Sequence, residues 1–440
     1  MEGELVDSSG KDKATRVVIV NYGRFNRGTE ALLITRIAAL RRFISNVSFT
    51  VFMYRLDPDA QKTFPGVSFY EVIGQVALHR MGIWAGLRTA PPLIRCALWR
   101  FFRHFHLNAQ TLLKDPRLNA YSSADVVLTV GGDTLTEDYG TLGFWSCFLN
   151  LLFGLLLAKQ VVIYAESIGP FKRRYNRIIA RFLFNRAKLI TLRDNTSARI
   201  LRELPVSNPS VYVTADSAFL LEPAPPDRVK EILNEEGIPT DQRPIIGIMP
   251  SYLIPSYGSD RAVTPQESYD RYVRLISQIA DYLVDTLNAI VLLVPHVTIP
   301  EWASHIDDRT AANDIYHLSQ RRDHIFRIKG EYSAEETKAI IGICDLCISS
   351  RMHAAISSTS LSIPTIALAY SHKTYGIIGE MVGCKQYVLD INELNYESLV
   401  SKINTAWMNR ESIREGLDAA IKPIKQEALK NAELVSKLVE

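Results

Sequence analysis

The stretch of sequence that decides the fold is residues 344–381, CDLCISSRMHAAISSTSLSIPTIALAYSHKTYGIIGEM. An apolar run at 343–349 leads into a polar turn and a segment rich in Ala and Ser, and a second apolar run follows at Thr365–Ala369. Short apolar runs are typical of parallel strands buried on both faces, and small residues allow a helix to pack closely on a sheet. The pattern predicts a strand, helix, strand unit of a doubly wound α/β domain.

The turn between the first strand and the helix carries Ser350, Arg351, Met352 and His353. Ligands of doubly wound domains bind outside the carboxyl ends of the strands, where free N–H groups and the helix dipole favour an anion. The guanidinium of Arg351 suits phosphate or carboxylate, and His353 can exchange a proton near neutral pH. We therefore predict an anion site with a proton-transfer group at this turn.

Length and composition indicate a folded protein with two domains. A chain of 440 residues is too long for one ordinary core, and contents of 47% hydrophobic and 22% charged residues are typical of globular proteins. The net charge of +3 is the small difference of 50 cationic and 47 anionic residues, so nucleic acid is not favoured as a partner. Five cysteines without a spaced framework suit a reducing compartment. Cys344 and Cys347 are expected on opposite faces of a strand as core residues, and we predict no metal site.

Strand and helix patterns alternate along both halves, which predicts two Rossmann-like, doubly wound lobes that face a cleft. The polar residues 1–15 are expected to be a disordered lead-in and not a signal peptide, which favours a cytoplasmic location. The first lobe is predicted to span 16–222. The Pro-rich segment at 223–228 is the expected linker, and 229–440 form the second lobe.

Residues 76–113 interrupt this alternation with a basic segment rich in Trp and Phe. Such a pattern is typical of an amphipathic helix at a membrane surface, which would place the protein at the inner face of the membrane. An ordinary helix at an interdomain or homo-oligomer interface, with arginines extended along apolar surface, is the alternative. The sequence leaves both interpretations open.

Residues 142–158 form a long apolar run, close to the minimum of about 17 residues for a membrane-spanning helix. A strand pattern follows directly at Val161–Ala165. We therefore predict a buried crossover helix between two strands.

Polar residues also follow predicted strands of the first half. Asn21, Asn26 and Glu30 come after the strand pattern at Val17–Val20. Gly132 and Asp133 lie in the turn GGDTLTEDYG, where glycines allow a ligand to approach the backbone.

Arg193 comes directly after the strand pattern at Leu189–Leu192 and before an Asp/Asn helix cap, which is another place for an anion. The alternative is a structural ion pair between Arg193 and Asp194 or Asp216.

Six motifs together resemble the polysaccharide pyruvyl transferase family. They are NYGRFNRGTEALL (21–33), GGDTLTEDYG (131–140), ESIGPF (166–171), RDNTSARIL (193–201), ADSAFLL (215–221) and SSRMHAAISSTSLSIPTIALAYSHKTYG (349–376). The resemblance runs in order from Val17 to Met381 and implies two Rossmann-like lobes, similar to those of two-lobed, GT-B-like glycosyltransferases. It also implies phosphoenolpyruvate as the donor, no additional cofactor, and a pyruvate ketal on two hydroxyls of one sugar residue as the product.

The resemblance implies roles for individual residues. Arg351 and His353 match the family's Arg-x-His donor motif, with His353 as general acid/base, and Arg193 is similar to its second donor-binding arginine. Asp133 replaces the third glycine of the family's GGG turn and is expected to orient or deprotonate an acceptor hydroxyl. Met352, Ser350 and Lys373 complete the predicted donor site, although a structural role for Lys373 is equally consistent. The predicted acceptor-binding residues are Asn21, Asn26, Glu30 and Gly132.

Two other functions remain compatible with the sequence. One is a nucleotide-sugar-dependent glycosyltransferase in which Arg351 and a helix terminus hold a diphosphate. The other is a peripheral membrane scaffold of a polysaccharide assembly complex, organised by 76–113. The acceptor of the leading hypothesis is a polysaccharide or its lipid-linked precursor. Four histidines lack ligand spacing and are expected on the surface or in loops; they are His296, His305, His317 and His324.

Overall fold

Two parallel β-sheets, one in each half of the chain, form the framework of this protein. The computed structural model describes residues 14–73, 83–239, 242–253, 264–299 and 306–440. Most of the expected lead-in at 1–15 lies outside these residues, and the first strand already begins at Thr15.

The first sheet has seven strands in the order β3-β2-β1-β4-β5-β6-β7. Its strands are β1 (Thr15–Tyr22), β2 (Val47–Met53), β3 (Val67–Glu71), β4 (Val126–Thr129), β5 (Gln160–Glu166), β6 (Leu189–Leu192) and β7 (Val211–Val213). All neighbouring pairs are parallel. The centre of the sheet is buried on both faces, which explains the unbroken apolar runs in the sequence.

The second sheet has six strands in the order β10-β9-β8-β11-β12-β13, again all parallel. Its strands are β8 (Ile245–Met249), β9 (Ile290–Leu293), β10 (Ile325–Arg327), β11 (Leu346–Ser349), β12 (Thr365–Ala369) and β13 (Val388–Asp390). The strand order reverses between β1 and β4 in the first sheet and between β8 and β11 in the second. Ligands of such sheets bind at these reversals, because the loops diverge there and leave a crevice.

Helices connect the strands of both sheets. In the first half they are Arg27–Phe43, Ala60–Thr63, Ile83–His104, Pro116–Ser123, Gly140–Leu156, Arg174–Arg186 and Asn195–Glu203. In the second half they are Pro226–Glu235, Pro265–Leu287, Asp308–Leu318, Ala334–Ile341, Met352–Thr359, His372–Thr374, Tyr396–Met408 and Arg410–Val439, with a π-helical turn at Tyr375–Met381.

The apolar run at 142–158 is the crossover helix Gly140–Leu156, whose inner side is buried beneath β4 and β5. The basic segment is largely helical as well. Its first residues, 76–82, lie outside the described structure, and the helix Ile83–His104 follows with Cys96 and Trp99 buried. Within the described ranges no helix is long and apolar enough to cross a membrane.

The division between the lobes differs in two details from the one drawn on the sequence. The helix Pro226–Glu235 begins inside the expected linker 223–228, because proline is well tolerated in the first turn of a helix. The last helix, Arg410–Val439, belongs to the sequence of the second lobe but packs on the first. Its residues join an apolar core that extends through both lobes and includes Ile19, Ile246 and Ala428.

The two cysteines of the CDLC segment do not point to opposite faces as expected. β11 begins only at Leu346, so Cys344 lies in the preceding turn. A Cβ atom placed on Gly247 would lie 2.8 Å from the Sγ of Cys344 and 3.3 Å from that of Cys347. Both thiols therefore pack side by side over Gly247 in the apolar core of the second lobe.

Candidate active site

A cavity of about 910 Å³ lies between the carboxyl ends of the two sheets. Loops that follow β1 and β4 form one wall, and loops that follow β9, β11 and β12 form the other. The charged and polar residues of its lining include Asn21, Arg24, Asn26, Arg55, Asp133, Tyr139, His296, Arg351, His353, Tyr370 and Lys373, and Met352 contributes an apolar side chain. Both strand reversals thus open into one space.

His353 lies in the first turn of the helix Met352–Thr359 and faces the first lobe across the cleft. Its Nε2 atom is 3.4 Å from Nη1 of Arg193 and 3.7 Å from a carboxylate oxygen of Asp216. Burial lowers the pKa of His353 to about 4; the Asp216 carboxylate opposes this shift, and the Arg193 guanidinium adds to it. The imidazole is therefore neutral near pH 7 in the ligand-free protein.

Gly28, on the first lobe, brings its backbone directly against the His353 ring. A Cβ atom at this position would lie 2.3 Å from Nδ1 of His353, which is closer than any real contact. Gly28 is the second residue of the helix Arg27–Phe43, and its N–H donates to the Asn26 side chain that caps this helix. The lobes can approach this closely only because residue 28 has no side chain.

Arg351 is held by a bidentate ion pair. Its Nε and Nη2 atoms donate to the two carboxylate oxygens of Asp308 over 2.9 and 2.5 Å. Asp308 also accepts from the backbone N–H groups of Val297 and Tyr252. The guanidinium thus has a fixed orientation at the cavity wall, where Nη1 has no hydrogen-bond partner among the described residues.

Arg193 is fully buried behind His353 and is absent from the cavity lining. It donates to Asp216 over 2.5 Å and to Ser167 over 2.9 Å, and it packs against Gly132. The ion pair that the sequence offered as an alternative is therefore present. Direct donor binding by Arg193 stays a prediction, and in this structure its contact with the cavity runs through His353.

Asp133 and Lys373 form an ion pair that bridges the two lobes. The ammonium of Lys373 lies 2.9 Å from Asp133 and 3.6 Å from Asp138, and Tyr139 donates to Asp133 over 2.5 Å. Burial alone would raise the pKa of Asp133 and lower that of Lys373, but their mutual attraction reverses both shifts. Both side chains are therefore charged at neutral pH.

The turn that carries Asp133 is held by a buried carboxylate. Glu166, at the end of β5, accepts from the backbone N–H groups of Gly132 and Thr134 over 3.2 and 3.1 Å. Gly132 has a φ of 77°, which a residue with a side chain adopts only with strain. Glu166 of the motif ESIGPF therefore fixes the turn of the motif GGDTLTEDYG that carries Asp133.

The predicted acceptor residues divide into two groups. Asn21 lines the cavity; its Oδ1 accepts from Asn150, and its Nδ2 has no partner in the part of the chain that the structure describes. Asn26 also lines the cavity and caps a helix. Glu30 instead pairs with Arg27, and Gly132 lies against the Arg193 guanidinium, so neither reaches the cavity.

Two residues of the predicted donor motif also have distinct positions. Met352 lines the cavity beside Arg351. Ser350 does not, because its hydroxyl hydrogen-bonds the Tyr272 hydroxyl over 2.8 Å in the interior of the second lobe. Of the expected donor residues, the lining therefore contains Arg351, Met352 and Lys373.

His296 lies in a loop, as expected, but it faces the cavity and not the outer surface. It is buried and lines the cavity, where neither ring nitrogen has a hydrogen-bond partner among the described residues. Burial, with the nearby His353 and Arg351, lowers the pKa of His296 well below its ordinary value. The position after β9 was the one available signal, because that strand end belongs to the same edge of the sheet as the predicted site.

Asp216 and Asp308 were not predicted as site residues. Each lies at the start of a helical segment and accepts backbone N–H and guanidinium groups together: Asp216 from Ala218 and Arg193, and Asp308 from three N–H groups and Arg351. Aspartates at helix starts are common in any α/β protein, so their pairing with Arg193 and Arg351 could not be distinguished from ordinary capping in the sequence.

Fold and cavity define a two-lobed protein of the GT-B-like class. The solved structure of a glycosyltransferase from Rickettsia africae aligns with a TM-score of 0.56 at 12% identity and covers 98% of this chain and 100% of its own. The structure of Anabaena HepE in complex with UDP aligns with a TM-score of 0.57 at 11% identity, over 97% and 99% of the two chains. At these identities the likeness concerns the fold.

The sequence comparison is more specific. Residues 33–372 match the model of the polysaccharide pyruvyl transferase family, and this chain belongs to that family. The amylovoran biosynthesis protein AmsJ of Erwinia amylovora is 28% identical over 298 residues, which are 68% of this chain and 69% of AmsJ. The family resemblance inferred from six motifs is confirmed, and with it the two-lobed fold.

Proposed function

We propose that this protein transfers the pyruvyl group of phosphoenolpyruvate to two hydroxyls of one sugar residue, with formation of a ketal and release of phosphate. The observation that carries this proposal is the position of Arg351, His353 and Lys373 on one wall of the cavity. Phosphoenolpyruvate carries a carboxylate and a phosphate, and the fixed guanidinium and the buried ammonium supply complementary charge.

The balanced reaction requires two proton transfers. Two C–O bonds form at C2 of phosphoenolpyruvate, and the C–O bond to phosphate breaks. The sugar releases two hydroxyl protons. One balances the proton that is added to the methylene carbon, which becomes a methyl group, and the other leaves with phosphate. A single residue that alternates between acid and base can serve both steps.

His353 is suited to this alternation once the donor has bound. Its neutral imidazole accepts a proton when an anionic donor raises its pKa, because negative charge nearby favours the imidazolium. The imidazolium then protonates the methylene carbon and promotes an oxocarbenium-like centre at C2. The regenerated imidazole next accepts the proton of an attacking hydroxyl.

Asp133 and His296 are the side chains available to the acceptor. Asp133 has a lowered pKa, so its carboxylate is a weak base and we assign it the orientation of a hydroxyl by hydrogen bonding. His296 is neutral, and within the described parts of the chain its ring nitrogens have no hydrogen-bond partner. We assign it a hydrogen bond to the second hydroxyl.

Two measurements test the proposal. Phosphoenolpyruvate should raise the melting temperature of the protein more than any nucleotide sugar of a panel, because a ligand stabilises the state that binds it. His353→Ala should retain this stabilisation and lose about 10²–10⁴-fold in saccharide-dependent phosphate release. Stabilisation by a nucleotide sugar alone would instead identify a glycosyltransferase, and unchanged turnover of His353→Ala would exclude the mechanism.

A further inference from the structure

One side of the first lobe carries three neighbouring helices without a single acidic residue. They are Ile83–His104, Gly140–Leu156 and Arg174–Arg186, and the middle one contacts both of the others. Their inner sides share one apolar cluster, to which Trp99, Phe153 and Phe184 belong. The three helices therefore form one layer on the same face of the first sheet.

The outward side of the middle helix is apolar along its whole length. Residues with partly accessible side chains recur every three or four positions, which corresponds to one face of a helix. These residues are Leu142, Trp145, Leu149, Leu152 and Leu156. An uncharged helix normally lies between two packed layers, so an accessible apolar stripe on it requires an explanation.

The two flanking helices extend this apolar surface. Seven large apolar or aromatic side chains on them are exposed by 37% to 69%. On and just after the first helix they are Ile94, Leu98, Phe101 and Phe105, and on the last helix they are Tyr175, Ile178 and Phe182. We call these seven side chains, together with the stripe of the middle helix, the apolar face.

Arginines flank the apolar face on both sides. The three helices contain eight arginines and no Asp or Glu, in a chain whose net charge is only +3. The exposed arginines are Arg95, Arg100, Arg103, Arg174, Arg177, Arg181 and Arg186. The positive charge of this layer is thus much greater than that of the chain as a whole.

The apolar face is close to the cavity. The middle helix begins at Gly140, immediately after Tyr139, and its inner residues Gly143 and Cys147 line the cavity together with Tyr139. A partner that binds the outward side of this helix would therefore lie near the part of the cavity that Asp133 lines.

We propose that the apolar face docks on an anionic lipid bilayer and that the acceptor sugar is presented there by a lipid carrier. The identity of the acceptor rests on the proposed function, whereas docking itself does not. Aromatic and aliphatic side chains enter the boundary between headgroups and acyl chains, while the arginines pair with lipid phosphates.

Charge favours a bilayer over a second copy of the chain. A two-fold dimer would place the apolar face on itself, so the seven exposed arginines of each copy would oppose one another without an acidic partner in these helices. An anionic bilayer supplies the missing negative charge. The described helices are too short or too polar to span it, which restricts the contact to its surface.

Sedimentation of the full chain with vesicles tests the proposal. The protein should sediment with vesicles of phosphatidylcholine and phosphatidylglycerol, weakly with phosphatidylcholine alone, and less at high salt. Arg95→Glu with Arg181→Glu should lower the partition coefficient by about fivefold or more for each reversed charge. Phe101→Ser with Ile178→Ser should lower it as well.

Matched variants on other surfaces serve as controls. Met408→Ser changes an apolar side chain that is even more exposed, and Lys422→Glu reverses an exposed charge on the last helix; both should bind vesicles like the wild type. The circular dichroism spectrum verifies the fold of every variant, and stabilisation by phosphoenolpyruvate reports on the donor site separately. Vesicle binding without such stabilisation would support docking and contradict the proposed function.

Three results would overturn the proposal. The first is a wild-type protein that stays in the supernatant with anionic vesicles. The second is equal binding by the apolar-face variants and the controls. The third is a concentration-dependent dimer in solution that the Phe101→Ser, Ile178→Ser variant converts to a monomer, because the apolar face would then be a subunit interface.

Discussion

His353 is uncharged in the ligand-free protein because the lobes bury it, and burial disfavours the charged imidazolium. Its Nε2 atom lies 3.4 Å from Nη1 of Arg193 and 3.7 Å from a carboxylate oxygen of Asp216. The carboxylate favours the charged ring, but burial outweighs it and lowers the pKa of His353. A polyanionic donor would change this balance. The protonation of a single residue is therefore expected to report on donor binding.

We expect phosphoenolpyruvate binding to be coupled to proton uptake by His353. The pKa of His353 is about 4 in the free protein and rises in the complex, so between these two values the complex holds more protons and affinity increases as the pH falls. Calorimetry in two buffers of different ionisation enthalpy measures the uptake. His353→Gln should take up fewer protons than the wild type. Protonation of the ligand's own phosphate contributes equally to both proteins, so it drops out of this comparison.

The matched control is His296→Gln, which removes the other cavity histidine with a lowered pKa. It should retain the uptake that His353→Gln loses. Equal proton uptake by the wild type and His353→Gln would show that another group accepts the proton.

Gly28→Ala should reduce turnover because it disturbs the contact between the two lobes at His353. The added methyl group overlaps with Nδ1 of His353, so either the ring or the first-lobe helix must move. Misplacement of about 1 Å can cost about 10²-fold in rate. The measurement is kcat for phosphate release, and Gly416→Ala, a helical glycine with no neighbouring atom within 4 Å, is the control. Wild-type kcat in Gly28→Ala would mean that the ring has room to shift.

At the scale of elements, the site depends on turns whose backbone N–H groups donate to buried carboxylates. The turn after β4 is closed by Glu166 at the end of β5, and the loop after β9 is closed by Asp308 at the start of the helix Asp308–Leu318. Glu166 accepts from two backbone N–H groups, and Asp308 accepts from three, those of Tyr252, His296 and Val297. The adjacent strands hold these carboxylates in place, so the turns have fixed conformations.

Glu166→Gln should loosen the turn that carries Asp133. The side-chain amide replaces one carboxylate oxygen with a donor that faces a backbone N–H, which leaves a buried group unsatisfied at a cost of about 1–3 kcal/mol. We expect lower stability in urea denaturation and a higher KM for the saccharide, with phosphoenolpyruvate affinity less affected. Glu415→Gln, at an exposed position, should match the wild type. A saccharide KM equal to the wild type would separate Glu166 from the acceptor side.

At the scale of the whole molecule, the two lobes contact each other around the cavity and through the last helix. Around the cavity, Arg27 reaches Thr298 over 2.8 Å and Lys373 reaches Asp133 over 2.9 Å. On the far side, the helix Arg410–Val439 returns from the second lobe and inserts Ala428 and Val435 into the core that both lobes share. Polar contacts join the lobes at the cleft, and the last helix adds both apolar contacts and hydrogen bonds to the first lobe.

Asn431→Ala should weaken the attachment of the last helix to the first lobe. Asn431 is fully buried, accepts from the Thr214 hydroxyl over 2.7 Å and donates to the Ala215 carbonyl over 3.0 Å. Its removal leaves both groups without this partner, which should cost about 1–3 kcal/mol in the free energy of unfolding. Glu427→Ala, exposed on the same helix, should change it by less than about 0.5 kcal/mol. Equal stability of the two variants would show that the helix is held by apolar packing alone.

The sequence by itself determined the alternation of strands and helices, the strand-to-helix turn that carries Arg351 and His353, and the family. These features are local, because a buried strand or a strand-to-helix turn depends on residues only a few positions apart. The bounds of β6 and β12 match the predicted runs for this reason.

Only the tertiary structure decided which side chains meet. Asp308 holds Arg351 from 43 positions away, and Arg193 contacts His353 from 160 positions away. Gly28 and His296 reach the site because both strand reversals open into the same cleft. The same packing moved Glu30 and Ser350 away from the cavity and left the apolar face on three helices exposed. Such contacts depend on how the lobes and their layers pack, and no local pattern encodes that arrangement.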